Sequence, residues 1–325
     1  MENNINIILF AVAGLLLLYV LFYLLVLTRP KREKSKPQTL GAEPSADGPG
    51  SPLQGPALAR LDTTVNAEPI LSSIQKNGIA LAFASNIGAR KSQQDSVSCD
   101  LDQTKAVAVV CDGMGGMADG DKASKQAASI VFQRLWEMKP DDDPATVLRN
   151  AALEADRAVY GIGEAAGMAT EVGTTLVAIR ASQGKVFWVS VGDSRIYVLR
   201  SGQLHRLTTD HIYLMELLEL AGKGSITRDE ALSHPDREAL TSFIGEGGPE
   251  YVDVDSFLFV PGDVVLLCSD GLYKSVKDDR IAEIIHSNSG KLDVCAGRLI
   301  SEALLNGGRR QDNTTVALLR YDGQL

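Results

Sequence analysis

A chain of 325 residues with 45% hydrophobic and 22% charged residues is long enough for one large domain with added segments. Its 41 acidic residues outnumber 32 basic ones, for a formal net charge of −9; this excludes a nucleic-acid surface, which works by neutralising phosphates, and suits a protein that binds cations. The four cysteines, Cys99, Cys111, Cys268 and Cys295, show no C-x-x-C spacing, so they read as reduced thiols in a reducing compartment, against a zinc site or disulfides.

Residues 5–27 are almost continuously apolar, interrupted by Asn6 and Gly14, and their length suits the ~20 residues a helix needs to cross a bilayer. Arg29, Lys31, Arg32, Lys34 and Lys36 follow, while no Lys or Arg precedes the run. The positive-inside rule then predicts a single-pass anchor over residues 1–28 in the cell membrane, with the N-terminus outside and the rest of the chain cytoplasmic. A cleaved signal peptide is the alternative, but its h-region is shorter and basic residues precede it. Residues 29–75 are rich in Pro, Gly, Ala and Ser and read as a flexible linker. Residues 76–325 are left as the folded domain.

Within that domain, residues 79–85 alternate in a β-like way, and 86–96 read as a loop carrying Arg90 and Asp95. Residues 105–111 form an apolar strand running into Asp112-Gly113-Met114-Gly115-Gly116. The same device returns at Asp270-Gly271 after Val264, and in shorter form at Gly192-Asp193-Ser194. One apolar strand ending in Asp-Gly is an ordinary turn. Three in one chain gather acids whose burial together is costly unless a cation neutralises them.

A helix opens near Asp121 and Ser124, and a second begins at Asp143-Pro144, both with apolar residues at helical spacing. Strands follow at 174–181, 185–191, 195–200 and 203–207, joined by Ser182-Gln183-Gly184 and Ser201-Gly202 turns. Residues 210–250 read as a long insertion with small helices, one opening on a Thr227/Glu230 cap. Strands at 251–260 and 263–269, helices at 277–286 and 292–305, a loop at 307–313 and a closing strand at 314–321 complete the chain. His205, His211, His234 and His286 lack a paired metal-ligand spacing and read as structural or surface residues. Two packed antiparallel sheets with helices outside both bury every apolar face, which predicts an α+β fold in four α-β-β-α layers.

The ordered segments Arg90 with Gln94-Asp95-Ser96, Cys111 to Gly116, Gly173-Thr174-Thr175, Val191 to Arg195, Leu207 to His211, Ser269-Asp270-Gly271-Leu272 and Asp312-Asn313-Thr314-Thr315 resemble the motifs of the PPM (PP2C-type) metal-dependent serine/threonine protein phosphatases in their bacterial form. The resemblance runs from about Gly78 to Tyr321. It implies hydrolysis of phosphoserine and phosphothreonine by a water bridging two Mn²⁺ or Mg²⁺ ions, with no covalent phospho-enzyme. Oxygen ligands suit such hard ions, and the absence of Cys and His ligands argues against zinc.

By the same resemblance, Asp112 bridges both ions, Asp270 and Asp312 complete the first site, and Gly113 (carbonyl) with Asp95 holds the second. Asp193 with Asp270 resembles the family's weaker third site. Arg90 is expected to grip the substrate phosphate, a task its planar guanidinium suits. Animal members have a histidine where this chain has Met114, so a metal-bound water or another group must act as acid. Ser194, Arg195, Thr174 and Thr175 are expected to pack and to hydrogen-bond strand ends, and the 210–250 insertion resembles the flap beside the site. Expected partners are phosphorylated proteins, a membrane Ser/Thr kinase and its substrates, and lipid through the N-terminal helix. Two other classes are a catalytically silent phosphoprotein-binding module and an outward-facing calcium-dependent adhesion module. The first needs a lost metal carboxylate, and none is lost; the second conflicts with the charge asymmetry around the apolar run and with the free thiols.

Overall fold

The computed structural model describes residues 70–76, 78–115 and 119–323. The expected membrane span, most of the expected linker, and Gly116 of the glycine-rich turn lie outside these residues. Among the described residues no helix is long and apolar enough to cross a membrane.

The chain opens with strands β1 (Ile70–Lys76), β2 (Ile79–Asn86), β3 (Asp95–Leu101) and β4 (Lys105–Met114), then helices α1 (Asp119–Glu137) and α2 (Pro144–Ala165). A run of short strands follows: β5 (Gly173–Thr174), β6 (Leu176–Ser182), β7 (Lys185–Val191), β8 (Arg195–Arg200) and β9 (Gln203–Arg206). Helices α3 (Tyr213–Gly222) and α4 (Arg228–Ser233) occupy the insertion. Then come β10 (Asp253–Leu258), β11 (Val264–Cys268), α5 (Asp270–Tyr273), α6 (Asp278–Asn288), α7 (Leu292–Gly307) and β12 (Thr314–Tyr321).

Period-two alternation on these strands dictates the layers. Along β4, Val107, Val109 and Cys111 pack against α1 and α2, whereas Ala106, Ala108 and Val110 enter the core between the sheets. Along β2, Ile79, Leu81 and Phe83 face that same inner core, while Ala80, Ala82 and Ala84 lie under α6 and α7. Strands buried on both faces require a layer on each side. One sheet runs β1-β2-β12-β11-β8-β9 and the other β10-β7-β6-β4-β3, with β5 paired to β4. All these pairings are antiparallel. The expected α-β-β-α order is the observed one.

Local signals act as the residue types require. Asp143 caps α2, its carboxylate accepting the Thr146 N–H at 3.0 Å, with Pro144 next, where no helical N–H is needed. Thr227 and Glu230 form a complete capping box on α4. Gln183-Gly184 and Ser201-Gly202 both have φ between +51° and +79°, the paired left-handed residues of a two-residue hairpin turn.

Four boundaries differ from expectation. Residues 70–75, expected as the end of the linker, belong to β1, which is paired along its whole length to β2, with Ile74 against the inner core. The expected loop ends earlier, because Asp95 already pairs with Asp112. β4 continues past Asp112, since Gly113 and Met114 find partners in Thr174 and Gly173. The strand expected at 174–181 is divided at Thr175, whose backbone N–H donates to the Asp112 carbonyl at 2.9 Å but whose hydroxyl, in place of its backbone carbonyl, accepts the Asp112 N–H at 3.0 Å.

Candidate metal centre

The alternation that builds the inner core also builds the site. Val97, Val110, Leu267 and Ala317 belong to the core between the sheets. Two residues further toward one end of the sandwich, on the same face of each chain segment, stand Asp95, Asp112, Ser269 and Thr315. Asp95 and Asp112 are directly opposed across β3 and β4. Ser269 Oγ crosses from the other sheet to donate to Asp95 Oδ2 at 2.7 Å, and accepts the Thr315 N–H at 2.9 Å. The sandwich is therefore closed at this end by polar contacts where its middle is closed by aliphatic ones.

The remaining acids arrive on turns. Asp270 is the first residue of α5, directly after β11. Asp193 follows Gly192, whose φ of +96° and close approach to Thr175 leave no room for a Cβ. Asp312 precedes β12 and accepts the Asn313 N–H on Oδ1 at 2.8 Å. Asn313 in turn pins the Arg90 loop: its amide donates to the Ile87 and Ser92 carbonyls at 2.8 and 3.1 Å, and its Oδ1 accepts the Gln94 N–H at 2.8 Å. This brings Arg90 Nη2 to 2.5 Å from Asp312 Oδ2. Gly113 is locked by its N–H to the Gln94 carbonyl, 3.1 Å, and a Cβ there would lie 2.1 Å from the Gly120 carbonyl oxygen. Every residue singled out from the sequence, Arg90, Asp95, Asp112, Gly113, Asp193, Asp270 and Asp312, lies at this end.

The electrostatics record the crowding. Burial pushes the Asp95 carboxyl up to about 7, against hydrogen bonds from Ser269 and Thr315, and the charges of Asp270 and Asp312 add to the rise. Desolvation, then the charges of Asp95, Asp270, Asp193 and Asp312, raise Asp112 well above the ordinary aspartate range. Burial and Asp270 raise Asp193, opposed by Lys274 and the Tyr273 hydroxyl. Hydrogen bonding to Asp312 raises Arg90.

A divalent cation fits this set. Asp95 Oδ1 and Asp270 Oδ1 are buried with no donor from the protein, a costly arrangement that a hard cation relieves. The other oxygens of Asp95, Asp270 and Asp312 are held by Ser269, Lys274 and Arg90. With those contacts in place, no group of three or more acidic, histidine or cysteine side chains among the described residues is arranged to hold an ion.

Three participants were not assigned from the sequence. Ser269 ties the two sheets at Asp95; Lys274 Nζ lies 2.6 Å from Asp270 Oδ2; Tyr273 donates to Asp193 Oδ2 at 3.0 Å. The Asp270/Lys274 spacing of four residues was the available signal, readable only once α5 is recognised as a helical turn. Burial opposes the ammonium, but the charge and hydrogen bond of Asp270 outweigh it and hold Lys274 above the usual lysine range.

The flanking motif residues pack as expected. Thr175 Oγ1 and Ser194 Oγ share a 2.7 Å hydrogen bond, and the Thr174 hydroxyl donates to the Asp112 carbonyl at 2.8 Å. Arg195 pairs bidentately with Asp210 at 2.9 and 2.6 Å and lies over the Tyr273 ring at 3.5 Å. His211 is structural: its Nδ1 accepts the Gly192 N–H at 3.1 Å, and its Nε2 is 3.1 Å from Asp253 Oδ2. The insertion reaches the site through Ile244, which exchanges two 2.9 Å backbone bonds with Thr174.

Residues 84–292 match the profile of the protein phosphatase 2C family. The chain is 35% identical over 224 residues to the serine/threonine phosphatase stp of Listeria monocytogenes, covering 66% of this chain and 84% of that protein. Its fold is similar to that of the S. agalactiae serine/threonine phosphatase, with a TM-score of 0.65 and 29% identity over 75% of this chain and all of that one. It is also similar to the catalytic domain of the serine/threonine protein phosphatase PstP, solved in complex with two manganese ions, with a TM-score of 0.62 and 30% identity over 75% of this chain and 98% of that one.

Proposed function

This chain belongs to the protein phosphatase 2C family, and we propose that it hydrolyses phosphoserine and phosphothreonine in proteins with Mn²⁺ or Mg²⁺ as cofactor. The observation that carries the reading is the convergence of Asp95, Asp112, Asp193, Asp270 and Asp312 at one end of the sandwich, with two buried carboxylate oxygens lacking any donor. Asp112 would serve both ions, Asp270 and Asp312 one of them, and the Gly113 carbonyl with Asp95 the other. Bound ions supply Lewis acidity, lowering the pKa of water and offsetting charge on the phosphoryl oxygens.

The protein's own groups do the rest. Arg90 is 60% exposed and paired only at the surface with Asp312, so its guanidinium is free to turn outward and clamp two oxygens of a phosphate. The Asn313 clamp fixes where that guanidinium starts. Met114 has no transferable proton, so the leaving alkoxide takes its proton from water. The insertion, joined to β5 through Ile244, forms the wall against which a phosphopeptide lies. A catalytically silent binding module is disfavoured, since all five acids are retained.

The apolar run in residues 5–27 and the basic residues after it support a single-pass anchor with the phosphatase domain on the cytoplasmic side. Tethered there, it would act on phosphoproteins held at the same membrane, a Ser/Thr kinase among them. Protease accessibility in intact cells tests the side: digestion of the domain from outside would reject it.

Release of phosphate from a phosphothreonine peptide tests the chemistry. Turnover is expected only with Mn²⁺ or Mg²⁺, and Asp112→Asn or Asp312→Asn is expected to abolish it while circular dichroism is unchanged. Turnover undiminished in either variant rejects the assignment.

A further inference from the structure

We propose that Lys274 is a resident cation for the Asp193–Asp270 pair, so that this pair takes no divalent ion and the centre is loaded with two ions instead of three. The inference rests on the phosphatase reading and concerns how the acids are shared out.

Lys274 Nζ stands 2.6 Å from Asp270 Oδ2 and 3.7 Å from Asp193 Oδ2. The Tyr273 hydroxyl lies 3.0 Å from the same Asp193 oxygen and 3.0 Å from the Asp193 backbone carbonyl, so Asp193 Oδ2 faces a hydroxyl and an ammonium. A divalent ion needs lone pairs, and here it would meet an ammonium and an O–H. The placement is built in on both sides. Lys274 follows Asp270 by four positions across α5, the spacing at which a helical turn stacks two side chains. Tyr273 is held by Arg195 lying 3.5 Å over its ring, and Arg195 is fixed by its two bonds to Asp210.

The division of oxygens follows. Asp270 gives Oδ2 to Lys274 and keeps Oδ1, the atom with no donor, for an ion shared with Asp112. Asp193 Oδ2 is left with a hydroxyl and an ammonium as its counterparts. The lysine side chain remains 45% exposed, so solvent reaches it while its ammonium stays on the two carboxylates.

The test is Mn²⁺ stoichiometry by equilibrium dialysis of the metal-stripped full chain, carried to millimolar Mn²⁺. The wild type is expected to take two ions and Lys274→Met three. Lys274→Arg, which keeps the charge, is expected to stay at two, and adding Asp193→Asn to Lys274→Met is expected to return the count to two. If the methionine variant does not fold, Lys274→Gln carries the same expectation of three. Three ions in the wild type, two in Lys274→Met, three in Lys274→Arg, or a third ion surviving Asp193→Asn overturns the proposal. Three ions with normal phosphate release defeats this inference alone, whereas no bound Mn²⁺ and no phosphate release defeats the phosphatase reading with it.

Discussion

Replacing Asp112 with Asn should make the metal-free protein more stable while destroying its response to metal. Asp112 and Asp95 are directly opposed across an antiparallel pair, which puts their side chains about 5 Å apart. Two like charges at that distance, in an effective dielectric of about 20, repel by about 3 kcal/mol. Both carboxyls are raised in the folded state, Asp95 to about 7. A carboxyl raised on folding binds its proton more tightly in the folded chain, so its contribution is fully present below the ordinary aspartate value and is lost as pH rises through the folded value. In chelator, the wild type should therefore lose stability between about pH 4 and about pH 7. Asp112→Asn should lose less, and near pH 8 it should be the more stable protein, by up to about 3 kcal/mol once both wild-type carboxyls are ionised, with the gap closing toward pH 4. Urea denaturation at a series of pH values measures this. Saturating Mn²⁺ should reverse the order, because ligand binding stabilises only the protein that still binds. An Asp112→Asn protein less stable than wild type near pH 8 without metal, or a gap that does not change with pH, refutes the reasoning.

Arg195→Ala removes the half-buried bidentate partner of Asp210 and the cation over Tyr273, leaving the buried Asp210 only Arg206 at 3.1 Å; about 2–3 kcal/mol of stability should be lost, and a loss below about 1 kcal/mol in urea would contradict that role. Arg90→Ala should cost about 3 kcal/mol of phosphate binding, near 100-fold in kcat/KM for a phosphothreonine peptide, with the melting temperature unmoved because the Asp312 pair is exposed. Gly113→Ala puts a methyl 2.1 Å from the Gly120 carbonyl and 2.7 Å from that of Gln94; the start of α1 must shift, costing about 1–3 kcal/mol, and calorimetric titration should show weakened Mn²⁺ binding.

Much of the site was legible because it obeys strand arithmetic. Val110 and Asp112 share a face by period-two spacing, as do Leu267 and Ser269, and an apolar run ending in an acid announces where a core stops. The ordered motifs then joined positions far apart in the chain. What sequence periodicity missed was short or borrowed structure. β3 alternates Ser96, Val97, Ser98 and Cys99 too weakly to stand out from a loop, and gains its identity from pairing with β4. β1 exists because β2 offers an edge along its whole length. Lys274 was invisible because α5 is a single turn, too brief to show helical periodicity, and its meaning depends on Asp193 arriving on the turn between β7 and β8.

Carboxylates from separate segments converge at one end of the sandwich, and the proposed function requires them to share a pair of cations. Anomalous scattering from a crystal of the Mn²⁺-loaded protein tests this most directly. Two manganese peaks ~3.5–4 Å apart, both coordinated by the Asp112 carboxylate and flanked by Asp270 and Asp312, are the expected result. A single peak, or manganese bound away from Asp112, would contradict it.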